Sequence, residues 1–400
     1  MRKKCLICRN NNLKKIIDLG IQPFADTFIS HSNLNKKEPV VKLVLNLCSK
    51  CGCVQTKYKT NTYKRYNLHN YSYTSSNSKF SKTHWINYAK DITESYKITK
   101  KSKVLEIGSN DGFLLKQFKF FSKCKVVGVD ASKYMSKLSN KTKIKTFQMI
   151  FNNINSSKII KKEGRFDLVI ANNVFNHSDD PLNFLKGVES VLNKDGVFIF
   201  ELPYWLDSVA SKKFDQIYHE HVTYFNIKMI LNLIKNSDFK ILKIQKINYH
   251  GGSIRVALKK NLKSNISISN YIKKEKQNGL FKTNTYKKLN KFILQKKDNI
   301  HKKISLLKQK NYIIAGVGAA AKANTLINTF KLNNQHINFI TDASVHKIGK
   351  YTPKSRIPIY NDNILSRYEK VYAIILSWNI SKTLKLKLLK INKNTKFLSF

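Results

Sequence analysis

The feature that most constrains the fold is a short apolar strand that runs into a polar turn bounded by glycines. Residues 104–108 are the predicted strand, residues 109–112 (Ser-Asn-Asp-Gly) are the turn, and a helix is predicted to begin at Phe113. A second predicted strand, residues 125–130, ends in an aspartate. A glycine turn lets the backbone approach a ligand, and an acid that ends the next strand can accept both hydroxyls of a ribose. The pattern therefore predicts a parallel sheet that binds a nucleoside at its carboxyl edge.

The alternation of strands and helices continues along the chain. Predicted strands at residues 166–172 and 197–201 extend the first unit, and residues 312–322 repeat the strand, glycine turn and helix later in the sequence. Such alternation is typical of open, doubly wound sheets. We therefore predict an α/β fold with two Rossmann-like units.

The polar turn favours S-adenosylmethionine over NAD as the cofactor. The strict G-x-G-x-x-G phosphate cradle is absent, because Gly108 and Gly112 enclose polar side chains that suit an amino-acid end better than a pyrophosphate. The alternative is a Rossmann-type core that binds no cofactor. The predicted cofactor-binding residues are Glu106, Gly108, Asn110, Asp111, Asp130 and Asn172.

Two cysteine pairs near the beginning of the sequence have the spacing of metal ligands. Cys5 and Cys8 form one C-x2-C pair, and Cys48 and Cys51 form the other. Two such pairs supply four soft ligands for a tetrahedral, closed zinc site, which is structural rather than catalytic. Cys53 could replace Cys51 as the fourth ligand, and buried cysteines without a metal are the alternative.

The charge of the chain is strongly positive. Its 400 residues include 74 Lys+Arg and 24 Asp+Glu, which gives a formal net charge of +50. A surplus of this size is typical of nucleic-acid binders, but the lysines are spread along the whole chain and no RNA-binding motif accompanies them. We interpret the charge as a solvated surface, which would favour a small substrate that carries phosphate.

The composition excludes several other classes of protein. The length predicts two to three domains. Six cysteines are too few for a disulfide scaffold, and no apolar run approaches the roughly 18 residues that cross a membrane. The first residues have no apolar stretch typical of a signal peptide. We expect a cytoplasmic protein.

The densest group of proton-handling side chains is the tetrapeptide Tyr218-His219-Glu220-His221. A histidine with a carboxylate partner can remove a proton, and a tyrosine hydroxyl can donate a hydrogen bond to a developing enolate oxygen. A His-Glu pair on the protein surface is the alternative interpretation. His177, just beyond the third strand, is a second candidate, unless it only belongs to a helix-capping loop.

Two further segments are candidates for substrate binding. In residues 250–255 (His-Gly-Gly-Ser-Ile-Arg) the adjacent glycines indicate a close approach of the backbone to a ligand, with Arg255 available for a diphosphate. The alternative for this segment is a hinge. Lys322, after the glycine turn at 316–318, binds either a phosphate or solvent.

These motifs together resemble those of the sugar C-methyltransferases that act on thymidine-diphosphate keto-deoxysugars. The resemblance covers nearly the whole chain and rests on the two cysteine pairs and on residues 106–112, 172–177, 214–221, 250–255, 316–325, 353–358 and 377–379. It implies three domains, namely a zinc-binding domain (1–65), an S-adenosylmethionine-dependent methyltransferase domain (66–248) and an α/β domain that binds the sugar nucleotide (249–400). It also implies that the substrate lies in the cleft between the second and third domains.

The resemblance assigns roles to individual residues. The implied catalytic residues are His221, Glu220, Tyr218, His177 and Tyr71. The implied substrate-binding residues are Tyr73, His250, Gly251, Gly252, Ser253, Arg255, Lys322 and Asn324. Thr74 stands where relatives can carry a histidine, a departure that bears on which sugar is recognised.

The implied reaction is the methylation of a carbon next to a ketone. His221, oriented by Glu220, is the implied base, and a tyrosinate at Tyr218 or Tyr71 is the alternative. Tyr218 or His177 would donate a hydrogen bond to the enolate oxygen. Two other functions remain open, a zinc-containing RNA methyltransferase and a protein that binds or modifies nucleotide sugars without transferring a methyl group.

Overall fold

The computed structural model describes residues 1–68, 74–76, 78–263 and 266–398. Within these ranges no helix combines the length and the apolar character that a membrane span requires. The α-helices and strands are, in chain order, β1 (Leu13–Pro23), β2 (Val40–Cys48), β3 (Val54–Thr56), α1 (Thr62–Asn67), α2 (Lys79–Ser95), β4 (Lys103–Ile107), α3 (Phe113–Ser122), β5 (Lys125–Asp130), α4 (Lys133–Lys141), β6 (Thr146–Gln148), α5 (Asn153–Glu163), β7 (Phe166–Ile170), α6 (Pro181–Val191), β8 (Leu192–Pro203), α7 (Trp205–Ala210), β9 (Thr223–Tyr224), α8 (Ile227–Ile234), β10 (Phe239–Ile247), β11 (Ser253–Lys260), α9 (Ser269–Gln277), α10 (Thr283–Gln309), β12 (Ile313–Val317), α11 (Ala321–Thr329), β13 (Phe339–Thr341), β14 (Ile359–Tyr360), β15 (Val371–Ile375), α12 (Ser381–Ile391) and β16 (Lys396–Leu398).

Short polar side chains begin many of the helices. Each of these residues lies in front of the first helical residue, and its side chain accepts a hydrogen bond from a backbone N–H of the first turn. Such caps satisfy donors that have no partner inside the helix. The capping residues of α2, α4, α5, α6 and α8 are Ser78, Ser132, Asn152, Asp180 and Asn226.

The N-terminal sheet is antiparallel and has the order β1-β2-β3-β9. Its last strand comes from far along the chain, because Thr223 and Tyr224 pair with Gln55 and Val54. The segment immediately after His221 is therefore part of the same sheet as the strand that follows the cysteines.

The middle sheet has seven strands in the order β10-β11-β8-β7-β4-β5-β6. Strands β8, β7, β4, β5 and β6 pair in parallel, and β11 pairs antiparallel with both β10 and β8. The strand order reverses between β4 and β7, which is where open α/β sheets bind ligands. Because β11 lies inside this sheet, the predicted domain boundary at residue 248 falls between the two strands of a hairpin.

The C-terminal sheet has five parallel strands in the order β14-β13-β12-β15-β16. Its order reverses between β12 and β15. The long helix α10 packs through apolar residues at helical spacing, which are Tyr286, Leu289, Ile293, Ile300 and Ile304. The predicted fold class is confirmed, since the chain folds into two Rossmann-like α/β units next to a small cysteine-containing sheet.

Candidate active site between two sheets

One cavity of about 560 Å³ contacts both α/β units. Residues after β4, β5 and β7 line one side, and residues after β12, β13 and β15 line the other. The carboxyl ends of the two parallel sheets therefore face a common space, and residues 216–221 contribute to the same wall.

The turn after β4 brings together the glycine and the acid that are predicted to bind a nucleoside. Gly108 has φ +74°, and a Cβ atom there would lie 2.8 Å from the Cβ and Cγ2 atoms of Val174. The carboxylate of Asp130 accepts hydrogen bonds from the backbone N–H groups of Asn110 and Ser132, both at 2.8 Å. Burial raises the pKa of Asp130 to about 6. Gly108, Asn110 and Asp130 all line the cavity.

Glu106 and Asn172 lie beside this turn and also line the cavity. The Oε2 atom of Glu106 is buried and has no hydrogen-bond partner among the described residues. Burial, followed by the nearby Asp111 and Asp130, raises the pKa of Glu106 well above its usual value. A buried carboxylate oxygen without a partner leaves a polar group that a ligand can satisfy. Together with the open glycine turn, it fits a cofactor that has polar, cationic groups.

Asp111 has a different role from the one predicted. Its carboxylate accepts hydrogen bonds from the hydroxyls of Ser75 and Ser76, so it anchors the segment in front of α2. Asp111 is not among the described residues that line the cavity.

The C-terminal sheet repeats the same local construction. The carboxylate of Asp342, at the end of β13, accepts hydrogen bonds from the backbone N–H groups of Ala319 (2.7 Å) and Ser344 (2.8 Å). Gly318 has φ +91°, and a Cβ atom there would lie 2.1 Å from Ser377 Oγ. Asp342 was missed as a site residue, although the repeated spacing of glycine turn and acid was a signal for it.

Lys322 brings an unpaired cation to this side of the cavity. Its Nζ is buried and has no hydrogen-bond partner among the described residues. Burial lowers its pKa to about 8, and Asp215 opposes that effect. The ammonium lies 5.3 Å from the centre of the Trp378 ring. A desolvated ammonium that lines a cavity is suited to bind an anion.

The tetrapeptide at 218–221 divides between two environments. Tyr218, Glu220 and His221 line the cavity. His219 lies outside the set of cavity-lining residues described, and its Nδ1 is 3.2 Å from the carbonyl oxygen of Pro23. Three of the four predicted proton-handling groups are thus brought together at one wall.

His221 has a tautomer that a backbone carbonyl defines. Its Nδ1 lies 2.8 Å from the carbonyl oxygen of Gln216. Because a carbonyl only accepts, Nδ1 carries the ring proton, and Nε2 of the neutral ring is an acceptor. Burial lowers the pKa of His221 to about 3, so the ring is neutral at pH 7.

The resemblance implied that Glu220 orients His221, but the structure shows no hydrogen bond between the two side chains. Neither of its carboxylate oxygens has a side-chain hydrogen-bond partner among the described residues, and the backbone of Gln216 orients the imidazole instead. Burial, reinforced by Asp26, raises the pKa of Glu220 to about 7. Burial also raises the pKa of Tyr218 well above its usual value, so the phenol holds its proton at neutral pH.

His177 lies next to His221, with 5.2 Å between the ring centres. Its Nδ1 is 3.1 Å from the hydroxyl of Tyr66, and its Nε2 is buried without a partner among the described residues. Both His177 and Tyr66 line the cavity. Tyr66 was missed, and no motif marks it, because its contact with His177 joins residues 111 positions apart.

The glycines at 251 and 252 pack against protein rather than a ligand. A Cβ atom on Gly251 would lie 2.2 Å from the Trp378 ring, and one on Gly252 would lie 2.9 Å from Asp207. The prediction was a ligand next to these glycines, whereas the structure places Trp378 and Asp207 there. Ser253 donates a hydrogen bond to the carbonyl of Tyr249, and in this segment only His250 is among the described residues that line the cavity.

Arg255 was predicted to be available for a diphosphate, but its guanidinium is already paired with carboxylates. Its guanidinium donates to Glu201 at 3.0 Å and to Asp91 at 2.7 Å. These two carboxylates already neutralise the buried cation, and Arg255 is outside the described lining of the cavity. Asn324 is also outside it, because its Nδ2 donates to the carbonyl of Ala25 at 2.6 Å. Tyr71 and Tyr73 lie outside the described residues.

The cysteine cluster is separate from the cavity. The sulfur atoms of Cys5, Cys8, Cys48 and Cys51 all lie within 4.8 Å of one another. Four converging, largely buried thiols fit a closed tetrahedral zinc site. Cys53 is outside this group, and its Sγ lies 3.8 Å from Gln55 Oε1.

Comparison with known proteins gives matches along almost the whole chain. A zinc binding domain model matches residues 5–66, a methyltransferase domain model matches residues 84–244, and a C-methyltransferase C-terminal domain model matches residues 248–399.

Individual relatives are more distant. The C-methyltransferase NovU of Streptomyces niveus is 24% identical over 379 residues, which are 94% of this chain and 90% of NovU. The tRNA U34 carboxymethyltransferase of Campylobacter lari is 28% identical over 131 residues, which are 32% of this chain and 45% of that protein. A solved S-adenosylmethionine-dependent methyltransferase from Clostridium acetobutylicum is 16% identical and has a TM-score of 0.36, with 44% of this chain and 91% of that one covered. The three domains matched in succession and the end-to-end alignment with NovU lead to one conclusion: the chain belongs to the S-adenosylmethionine-dependent C-methyltransferases that have an N-terminal zinc-binding domain.

Proposed function

We propose that this enzyme methylates a carbon next to a ketone on a nucleotide-diphosphate deoxysugar. The observation that carries the proposal is one cavity that the carboxyl edges of both parallel sheets line together with the neutral His221. A cavity that contacts two nucleotide-type turns can hold a cofactor against one and a nucleotide-linked substrate against the other. In this proposal residues 1–65 bind zinc, residues 66–248 bind the cofactor and residues 249–400 bind the sugar nucleotide.

The cofactor side is formed by the turn after β4. Gly108, Asn110 and Asp130 would hold the nucleoside, while Glu106 and Asn172 would contact the remainder of the molecule. When bound, S-adenosylmethionine supplies a methyl group on a positively charged sulfur, which a carbon nucleophile can attack. The protein's contribution is to hold both partners at reacting distance.

The substrate side carries positive charge and a second carboxylate. Lys322 would bind the diphosphate, because its buried ammonium has no partner among the described groups. His250 lines the same cavity, and burial lowers its pKa well below the usual value. Asp342 has the position for ribose hydroxyls that Asp130 has on the other side.

In this proposal, His221 and the polar residues next to it in the cavity carry out the proton transfer. Nε2 of His221 would accept the proton from carbon, and the imidazolium is then stabilised by the negative enolate that forms beside it. Tyr218 and His177 are the candidate donors to the enolate oxygen. Glu220, whose pKa of about 7 lets it gain or lose a proton near neutrality, is the alternative base.

The test is a turnover assay on a panel of keto-sugar nucleotides with a labelled methyl donor. We expect a mass gain of one methyl group on a substrate that has a ketone, and none on the matched sugar nucleotide in which a hydroxyl replaces it. Methylation of RNA, with an affinity that falls steeply with salt, would instead support an RNA methyltransferase, which the similarity to the tRNA enzyme and the charge of +50 also favour.

A cytoplasmic location remains a prediction.

A further inference from the structure

Helix α1 holds the loop that carries His177. The carboxylate of Asp179 accepts hydrogen bonds from the guanidinium of Arg65 (2.7 Å) and from Thr62, both on α1, and also from Arg2. Arg65 also lies 3.4 Å from the carbonyl oxygen of His177. The N-terminal segment therefore holds the backbone at this histidine and two residues after it.

Tyr66, the next residue of α1, contacts the ring of His177 itself. Its hydroxyl is 3.1 Å from Nδ1, and the two rings stack with an interplanar angle of 19°. Burial lowers the pKa of His177 well below its usual value, so the neutral ring carries a single proton. Which nitrogen carries it depends on the partner at Nδ1.

The surroundings favour Tyr66 as the donor in this hydrogen bond. Burial raises the pKa of its phenol, which therefore keeps its proton. The guanidinium of Arg65 lies 5.8 Å from the centre of the phenol ring. Its charge lowers the pKa of the phenol, against burial and the nearby carboxylates, and so favours donation by the O–H over acceptance by the oxygen. A proton donated to Nδ1 leaves the ring proton of His177 on Nε2, which is the buried nitrogen without a partner among the described residues.

The two neighbouring histidines then differ in function. The carbonyl of Gln216 makes Nε2 of His221 an acceptor, and Tyr66 makes Nε2 of His177 a donor. Deprotonation next to a ketone needs both, an acceptor for the proton on carbon and a donor for the oxygen that becomes negative. We propose that Tyr66 is a positioning residue that fixes the tautomer of His177, so that Nε2–H of His177 donates to the enolate oxygen. The role in turnover rests on the proposed function, whereas the tautomer does not.

The kinetic test is a double-mutant cycle. Tyr66→Phe should lower kcat about 10- to 100-fold, the range found when a metal-binding histidine loses the partner that orients it, and should leave KM within about twofold. In a His177→Gln background the amide always presents an N–H, so Tyr66→Phe should cost nothing further. Tyr63→Phe is the matched control, since Tyr63 lies on the same helix and is 59% exposed. An equal loss from Tyr66→Phe in both backgrounds, or none in the wild type, would overturn the proposal.

A spectroscopic measurement tests the tautomer without any substrate. In protein labelled with ¹⁵N only at histidine, the His177 signals are assigned by their loss in His177→Gln. We expect Nε2 to be protonated and Nδ1 to be unprotonated in the wild type. In Tyr66→Phe we expect the ratio of the two ring tautomers of His177 to change. A protonated Nδ1 in the wild type would refute the proposal. If the tautomer is as expected but no keto-sugar nucleotide is methylated, the proposed substrate is wrong and the tautomer assignment stands.

Discussion

Replacing Lys322 by methionine should have opposite effects on substrate binding and on the stability of the free protein. Methionine keeps an unbranched apolar stem of the same four-atom length, and the ammonium is lost. That ammonium is buried and has no hydrogen-bond partner among the described residues. It therefore costs free energy in the free protein and contributes free energy when an anion binds.

The expected magnitudes follow from these two roles. A hydrogen bond between charged groups contributes about 1.5–3 kcal/mol, so the substitution should weaken nucleotide-sugar binding about 10- to 150-fold. The pKa lowered from 10.5 to about 8 corresponds to at most about 3 kcal/mol of destabilisation in the free protein. We expect a gain of about 1–2 kcal/mol in the free energy of unfolding, since part of the side chain is exposed to solvent.

The stability effect has a defined dependence on pH. Between pH 8 and 10.5 the unfolded chain holds the Lys322 proton and the native state does not. The free energy of unfolding of the wild type should therefore rise with pH across this window, and Lys322→Met should lack that rise. Substrate binding by the wild type should weaken as the pH rises through about 8, because the cation is lost.

The assays are calorimetric titration with the sugar nucleotide and urea unfolding at several pH values. Lys382→Met, an exposed lysine of α12, is the control for a general loss of surface charge and should change neither quantity. S-adenosylmethionine affinity should be the same in all three proteins. Equal binding of the sugar nucleotide by Lys322→Met and the wild type would refute the assignment of Lys322 to the diphosphate.

Three further predictions concern the cofactor turn, the buried carboxylate and the metal. Gly108→Ala should destabilise the fold by about 1–3 kcal/mol and weaken S-adenosylmethionine binding in calorimetry, because φ is +74° and the new Cβ would lie 2.8 Å from Val174; unchanged affinity would contradict this. The pKa of Glu220 is about 7 in the native state and 4.5 in an ordinary glutamate, so between these pH values the native state holds a proton that the unfolded chain has lost. The free energy of unfolding should therefore fall as the pH rises from 4.5 to 7. Urea unfolding at pH 5 and pH 8 should show a smaller fall for Glu220→Gln, and an identical fall would argue against the raised pKa. Chelation of zinc, or Cys48→Ser, should lower both metal content and melting temperature, whereas Cys124→Ser should leave the metal content unchanged.

The parts of the site that the sequence predicted are those in which chemistry is local. The C-x2-C pairs predicted one cluster of four sulfur atoms, and the glycine turn with Asp130 predicted residues that meet at one side of the cavity. In both cases residues that are close in sequence, or on adjacent strands, carry the whole signal. Asp342 could have been found in the same way.

The parts that escaped prediction depend on packing between distant segments. Gly251 was expected to approach a ligand, and nothing local shows that the Trp378 ring lies next to it instead. The pairing of Arg255 with Glu201 and Asp91 joins three elements, and a sequence does not show which carboxylates a buried arginine meets. Tyr66 likewise becomes visible only when α1 is placed against the loop of His177.

The most direct test of the account is the fate of a ¹³C-labelled methyl group in a single turnover by the wild type and by His221→Ala. The account predicts a product in which the labelled methyl is bonded to the carbon next to the ketone. It also predicts that His221→Ala binds S-adenosylmethionine normally but forms this product at least about 10²- to 10⁴-fold more slowly. A methyl group on oxygen or nitrogen, or an unchanged rate in His221→Ala, would contradict it.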